Sequence, residues 1–341
     1  MQFAEMKISV IIPTYNRADM VVQAISSMLK QDFRKESFEV IIVDNNSTDE
    51  TEEILRDLIN ELQGKLNICY VKEERQGDVY ARNTGAFIAS GECLYFTDDD
   101  AIFDNNLLSE ITGIFDKYPL VGMVGTRIRI LWDFPPQEWV KNYEYLLGAV
   151  SYNTKGYIIK CPGMCIPNGS LAIRRKLFFE VGGNNPGQIG EWLVGNGEVG
   201  LFHKICDKGI PIAFTDDTTM WHMQRRSVNG TIRDIVRRIE NIAISDAYGD
   251  VIEKGIMRKR DTKSCLFKSI ISIFFFRRKK FRQYYFEYRA NKKYNEWISK
   301  FTDKAFLDSI ITSDYILNNQ YVIPEVKYYS TYASTKSYTT A

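Results

Sequence analysis

Short apolar runs alternate with helix-spaced patterns along the first 120 residues. The run "ISVIIP" (8–13) is followed by apolar positions at helical spacing from 18 to 31. "FEVIIVD" (38–44) leads into "NNSTDE", whose side chains suit the start of a helix running to Leu62. "NICYVKE" (67–73) precedes a helical pattern over 78–90, and "ECLYFTD" (92–98) precedes one over 105–117. Strands separated by single helices predict βαβ units and a parallel sheet buried on both faces. Ligands in such α/β sheets bind at the carboxyl ends of strands. Pro13, Thr14, Tyr15 and Asn16, then Asp44, then Asp98–Asp100, all stand at such ends.

Past residue 120 the pattern loosens. A strand is expected at 121–131, "DFPPQEW" is a turn and helix start, 171–181 and 198–207 are expected helices, and "GGNNPGQIG" is a loop. From 230 onward helical patterns dominate, and apolar positions 267, 270, 271, 274, 281, 285 and 288 repeat at helical spacing across 266–288. The end, "YYSTYASTKSYTTA", is polar and low in aliphatics, the composition of a disordered tail. The expected division is an α/β unit over 1–250, a helical basic and aromatic region over 251–317, and the tail over 318–341.

Charge adds an asymmetry. The net charge is only +1, yet residues 254–293 hold fourteen Lys/Arg against two acids, so a +12 segment sits on a body of −11. For 266–288 packing on the body ranks first, contact with an anionic membrane surface a close second, and nucleic acid a distant third. Six cysteines in a chain of 341 residues do not make a disulfide framework. Cys161 and Cys165 have a spacing zinc tolerates, but no matching second pair follows, so they read as reduced thiols. No secretory signal and no membrane-length apolar run is present in the sequence. A reducing, cytoplasmic setting is expected, with peripheral contact at the inner face of the cell membrane as the alternative to a free body.

Candidate chemistry centres on "LYFTDDDAIF" (94–103), three carboxylates directly after an apolar run. Like charges this close raise one another's pKa unless something compensates them. Strand alternation would send Asp98 and Asp100 to one side and Asp99 to the other. Two carboxylates on one side suit Mg2+ or Mn2+ with open positions for phosphate oxygens. Alone, the stretch reads equally well as a solvated acidic turn capping the next helix. The two neighbouring strand-end motifs tip the reading to a metal. His222, in "DDTTMWHMQRR", either ligates the same ion, clamps a diphosphate with Arg225 and Arg226, or is a packed core histidine.

The ordered set "SVIIPTYNR" (9–17), "EVIIVDNNSTDET" (39–51), "GDVYARNTGAFIASGECLYFTDDD" (77–100) and "LAIRRKLFFEVGG" (171–183) resembles the family 2 glycosyltransferases of GT-A fold, over roughly residues 7 to 245. The resemblance implies an inverting, metal-dependent transfer from a nucleotide-diphosphate sugar, UDP-linked by preference, to a hydroxyl of a saccharide or lipid-linked saccharide. It implies donor contacts from Pro13, Thr14, Tyr15, Asn16, Arg17, Asp44, Asn46, Arg82, Asp98 and Asp99. Asp100 would be the metal ligand, with Asp98 nearer the ribose. Asn168 and Gly169, with Glu191 and Trp192, would line the acceptor side. In "EWLVGNGEVGLFHKICDKG" (191–209) Gly197 stands where the family's first acid usually is, leaving Glu198 as the implied general base and Glu191 as the alternate. That departure keeps open a catalytically silent nucleotide-sugar-binding subunit, and the basic segment keeps open a membrane-surface adaptor. Gly195, Gly197 and Gly200 also spell a dinucleotide fingerprint, but Glu198 would oppose the pyrophosphate there and the preceding strand is very short.

Overall fold

The computed structural model describes residues 6–160, 166–184, 188–189, 192–193, 197–225, 231–308 and 328–330. Four parallel strands open the chain: β1 (Ile8–Thr14), β2 (Phe38–Asp44), β3 (Ile68–Lys72) and β4 (Cys93–Thr97), ordered β3-β2-β1-β4. Every residue of β1 and β2 is buried. Alternation splits their side chains between two cores. Val10, Ile12, Val40 and Ile42 pack with α1 (Ala18–Met28), α2 (Thr51–Glu61) and α4 (Leu107–Lys117), whereas Ile11, Ile41 and Val43 face α3 (Asp78–Ile88). Helix α3 lies so close that a Cβ on Gly85 would come within 2.4 Å of the Ile11 side chain.

The rest of the sheet is mixed. After β5 (Ala101–Phe103) comes β6 (Met123–Trp132), then α5 (Glu138–Lys141), β7 (Tyr157–Lys160) and β8 (Ser170–Arg174). Strand β8 runs antiparallel between β4 and β6. This corrects the helix expected over 171–181: only α6 (Arg175–Glu180) is helical. Leu171, Ala172 and Ile173 are fully buried between two strands, and so short an apolar run does not by its periodicity separate strand from helix. A two-stranded pair, β9 (Gln188–Ile189) and β10 (Trp192–Leu193), precedes α7 (Gly197–Asp207), held by buried Leu201, Phe202 and Ile205. The long β11 (Ile212–Gln224) pairs parallel with β6 and antiparallel with β5 and β7, shifting register between Thr215 and Thr219.

Helix α8 (Ile232–Tyr248) starts with a capping box between Thr231 and Asp234, followed by α9 (Lys263–Phe274), α10 (Arg278–Phe301) and α11 (Lys304–Asp308). The 266–288 stretch is thus not one helix. It is a hairpin that turns at Phe275–Arg277, with Phe276 at φ 51°. The turn is built from ordinary aromatic and basic residues and carries no Gly or Pro signal. Ala243, Ile244 and Ala247 of α8 bury against Tyr294, Trp297, Ile298 and Phe301 of α10. A second cluster joins Ile235, Val236 and Phe286 to Val140 and Leu147 of the 138–148 stretch. Within the expected tail, Tyr328–Ser330 form β12 on the open edge of β3, so these three residues are strand. No helix among the described residues is long and apolar enough to cross a membrane.

Candidate active site

The strand register gathers the site. Thr14 pairs with Asp44 across β1 and β2, and Ile11 with Phe96 across β1 and β4, so the loops leaving all three strands share one edge. Asn16 (φ 52°) and Asn46 (φ 64°) take the left-handed turns that reverse the chain there. The two loops are stitched together: the Asn16 N–H donates to Ser47 Oγ at 2.9 Å, and the Thr48 N–H donates to Asn16 Oδ1 at 2.8 Å. Tyr15 is left exposed, while Pro13 and Thr14 are buried. Asp44 is buried and accepts from Tyr70 Oη at 2.7 Å and from the Ser47 N–H at 2.8 Å. Asn45, which the sequence reading passed over, ties down the loop after β3 by donating to the Glu73 and Arg75 carbonyls and accepting from Gly77 N–H.

The three acids do not continue β4. They form the turn between β4 and β5, and each has its own counter-group. Asp98 accepts from Arg82 at 2.6 Å; that buried guanidinium also reaches Asp78 at 2.7 Å and the Thr97 carbonyl at 3.0 Å. Arg82 as folded therefore orients Asp98 from behind. Asp99 turns inward and accepts from Thr14 Oγ1 at 2.8 Å and Arg17 Nη1 at 3.1 Å. Burial pushes its carboxyl up to about 6, Arg17 opposing and Asp100 adding to the rise. Asp100 lies 3.3 Å from Arg17 Nη1 and 3.0 Å from His222 Nε2. Burial disfavours its charge, but His222 and Arg17 outweigh that and hold it below the usual carboxylate range.

His222 reaches Asp100 through β-pairing: it sits opposite Ala101, and the Met223 N–H donates to the Asp100 carbonyl at 2.8 Å. Its Nδ1 is 2.8 Å from the Leu147 carbonyl, which orients the ring and turns Nε2 to the acids. Burial lowers the imidazole pKa, but Asp100 and Asp98 overcome this and raise it. Asp98, Asp100 and His222 each offer one ligand atom, all within 4.8 Å of one another. Asp100 Oδ1 is buried and is the oxygen that His222 Nε2 faces at 3.0 Å. Two carboxylates and an oriented imidazole fit a divalent cation such as Mn2+ or Mg2+.

Gly169 closes the cradle. A Cβ there would stand 2.8 Å from Asp98 Oδ2, and its carbonyl accepts from Thr97 Oγ1 at 2.9 Å. The neighbouring Asn168 side chain is buried with neither its oxygen nor its nitrogen partnered among the described residues. Helix α8 contributes a cation that no motif announced. Arg238 feels both Asp98 and Asp100, although burial and Arg237 pull its own pKa down. Arg225 is drawn instead to Asp19 on α1. Glu198 lies in the first turn of α7 and Trp192 in β10, their side chains outside the described residues, as are Glu191, Arg226, Cys161 and Cys165.

A mixed sheet with its acids, arginines and metal-competent histidine at the carboxyl edge defines a GT-A type domain. The fold resembles a mannosyltransferase from Pyrobaculum calidifontis, PcManGT, solved with GDP-Man and Mn2+: TM-score 0.53, 19% identity, covering 92% of this chain and 79% of that one. Residues 9–182 match the model of glycosyl transferase family 2, and the chain belongs to that family. Curated relatives include the poly(ribitol-phosphate) beta-N-acetylglucosaminyltransferase TarS of Staphylococcus aureus, 34% identical over 113 residues. Another is the GalNAc(5)-diNAcBac-PP-undecaprenol beta-1,3-glucosyltransferase of Campylobacter jejuni, 36% identical over 94 residues. The matches cover 33% and 28% of this chain, and span only 19% and 29% of those relatives' lengths.

Proposed function

We propose that this chain moves a sugar from a nucleoside-diphosphate donor, UDP-linked by preference, to a hydroxyl of a saccharide or lipid-linked saccharide, with inversion at the anomeric carbon. The observation that carries the reading is the convergence of Asp98, Asp100 and His222 beside the exposed Tyr15–Arg17 loop in a family 2 chain. The GDP-Man and Mn2+ of the mannosyltransferase support a donor-plus-dication site, and the undecaprenol in one relative's name supports a lipid-linked acceptor.

The residues then divide the work. Tyr15 offers an open ring for a base to stack on. Asp44 accepts a base N–H with lone pairs that Tyr70 and Ser47 leave unused. Arg17, half-exposed at the mouth, meets the diphosphate, and Arg82 holds Asp98 toward the ribose. Asp98, Asp100 and His222 would hold a dication, which would supply positive charge against the departing diphosphate. Glu198 takes the proton of the acceptor hydroxyl as its oxygen bonds to the anomeric carbon. The bond from that carbon to the diphosphate oxygen breaks on the opposite face, and one in-line displacement inverts the centre.

Thermal shifts with a panel of nucleotide sugars and Mn2+ test the reading. One donor should raise the melting temperature, since it binds only the folded form; a flat panel rejects the proposal. Glu198→Gln should lower turnover by about 10²–10⁴-fold with that shift intact. Unchanged turnover removes Glu198 as the base, and a wild type that binds donor but transfers nothing is the silent subunit.

A further inference from the structure

Helix α9 is built inside out. Its residues at i, i+4 and i+7 that face α10 are small: Cys265, Ser269 (3% exposed) and Ser272 (4%). Its large apolar residues point to solvent. Phe267, Ile270, Ile273 and Phe274 (76% exposed) line the outer face, and Phe275 (66%) and Phe276 (92%) cap the turn. A water-soluble surface helix shows the reverse arrangement, with apolar side chains toward its neighbour. Contiguous exposed apolar surface of this kind marks a contact site.

The position and charge of the patch say what covers it. The three phenylalanines sit at the tip of a hairpin whose other arm, α10, is anchored by Phe286 to the 138–148 stretch. Helical rise holds the tip about 12 Å beyond that anchor. Phenyl rings this exposed at a turn enter a soft phase more readily than they receive a rigid partner. Arg277, Arg278, Lys279 and Lys280 follow immediately, all exposed, at the level where lipid headgroups would lie if the phenyl rings entered the acyl region. The +12 segment around the hairpin argues against a second copy of this chain, because two such segments repel. No described helix crosses a bilayer, so the contact is with a surface.

We infer that the α9–α10 hairpin tip inserts Phe274, Phe275 and Phe276 into the interfacial layer of an anionic lipid bilayer, with Arg277–Lys280 on its headgroups. The hairpin belongs to the same body as the candidate site, through Phe286 packing on Leu147, whose carbonyl orients His222. The inference does not depend on the transfer reaction and stands or falls apart from it.

Co-sedimentation of the full chain with vesicles of phosphatidylcholine, alone or mixed with phosphatidylglycerol, is the test. Wild type should pellet with the anionic vesicles and be released by salt. Replacing Arg277, Arg278, Lys279 and Lys280 together by Gln should weaken partitioning by about 10²–10³-fold. Phe274→Ser, Phe275→Ser and Phe276→Ser combined should abolish it. Both variants should melt and bind Mn2+ as wild type does, since the altered side chains are exposed. In Phe276→Trp, vesicles with brominated acyl chains should quench fluorescence beyond the wild-type level. Wild type that ignores anionic vesicles, binds neutral ones equally, or forms a dimer that the phenylalanine variant dissolves overturns the inference.

Discussion

The candidate site has two halves that were assembled differently. The β1, β2 and β4 half is local: each side chain lies within a few residues of its strand's end, and parallel register alone brings the ends together. The β11 half is remote. His222 is more than 120 residues from Asp100 in sequence, arrives by antiparallel pairing with β5, and is oriented by a carbonyl from Leu147. That carbonyl sits in a stretch packed on α8 and α10. The first half depends on the sheet, the second on the C-terminal helices as well. Metal affinity should therefore respond to damage in the helices, and acid placement should not.

Asp100 joins the halves, so Asp100→Ala should do most. It removes one of the two carboxylates of the candidate metal site, takes from His222 its acid partner and leaves Arg17 with Asp99 alone. Loss of one preorganised electrostatic group in an active site is worth about 10²–10³-fold in turnover. The Mn2+-dependent rise in melting temperature should vanish with it. A variant that keeps the wild-type metal response would separate Asp100 from the ion.

Phe286→Ala sharpens the comparison from a distance. The ring is buried among Trp139, Tyr143, Val140 and Leu147, and emptying such a site costs about 3–5 kcal/mol. Slackening of the Leu147 carbonyl should also weaken Mn2+ binding, by about 10-fold for a lost orienting contact. Ile59→Ala on α2 makes a cavity under the first half. It should destabilise comparably and leave Mn2+ affinity alone. Equal effects of the two variants on metal binding would dissolve the distinction between the halves.

The same division governs what was legible beforehand. The four parallel strands, their helices and the three strand-end motifs were all readable, because buried βαβ units write their pattern in consecutive residues. The pairing of His222 with Ala101 was not, since register between distant strands depends on three-dimensional packing. Nor was β8, whose apolar core is too short to declare a period. Arg238 carried no signal, being one arginine among several on an amphipathic helix. The hairpin escaped because the helical spacing of 266–288 continues in phase through a turn built by Phe275–Arg277.

Acidity probes the joint more gently. Asp99, at about 6 against an ordinary 3.8, is a raised carboxyl: the folded form keeps a proton the unfolded chain has lost, and that advantage fades as pH rises from about 4 to 6. His222 is raised too, so its contribution is full below its unfolded value near 6.5 and lost as pH climbs through its folded value. Asp100 is lowered, and its contribution is lost only as pH falls through its folded value. Without added metal, stability should drop by about 1–2 kcal/mol between pH 5 and 8. Mn2+ should bind more tightly over the same range, because it competes with the proton on His222 Nε2. Melting curves across pH with and without Mn2+ read both trends. Metal binding flat from pH 5 to 8 would remove His222 from the ligand set.

The smallest change presses on Asp98, an acid of the first half, and on Met220 of β11. Gly169→Ala adds one carbon 2.8 Å from Asp98 Oδ2 and 3.1 Å from Met220 Cε. Asp98 cannot swing freely away, because Arg82 grips its other oxygen at 2.6 Å and is itself fixed by Asp78 and the Thr97 carbonyl. Either the carboxylate tilts by a few tenths of an ångström or β8 shifts against β4. The expected cost is about 1 kcal/mol of stability. Mn2+ affinity should fall because the Asp98 oxygen leaves its place relative to Asp100 and His222. Met220→Ala in the same chain removes the second close contact but leaves a cavity at a fully buried position, so stability should fall further while affinity stays low, since the methionine is not the atom that aims the ligand. Full recovery of Mn2+ binding in that double variant would mean that Met220, and not the Asp98 carboxylate, is what Gly169 makes room for.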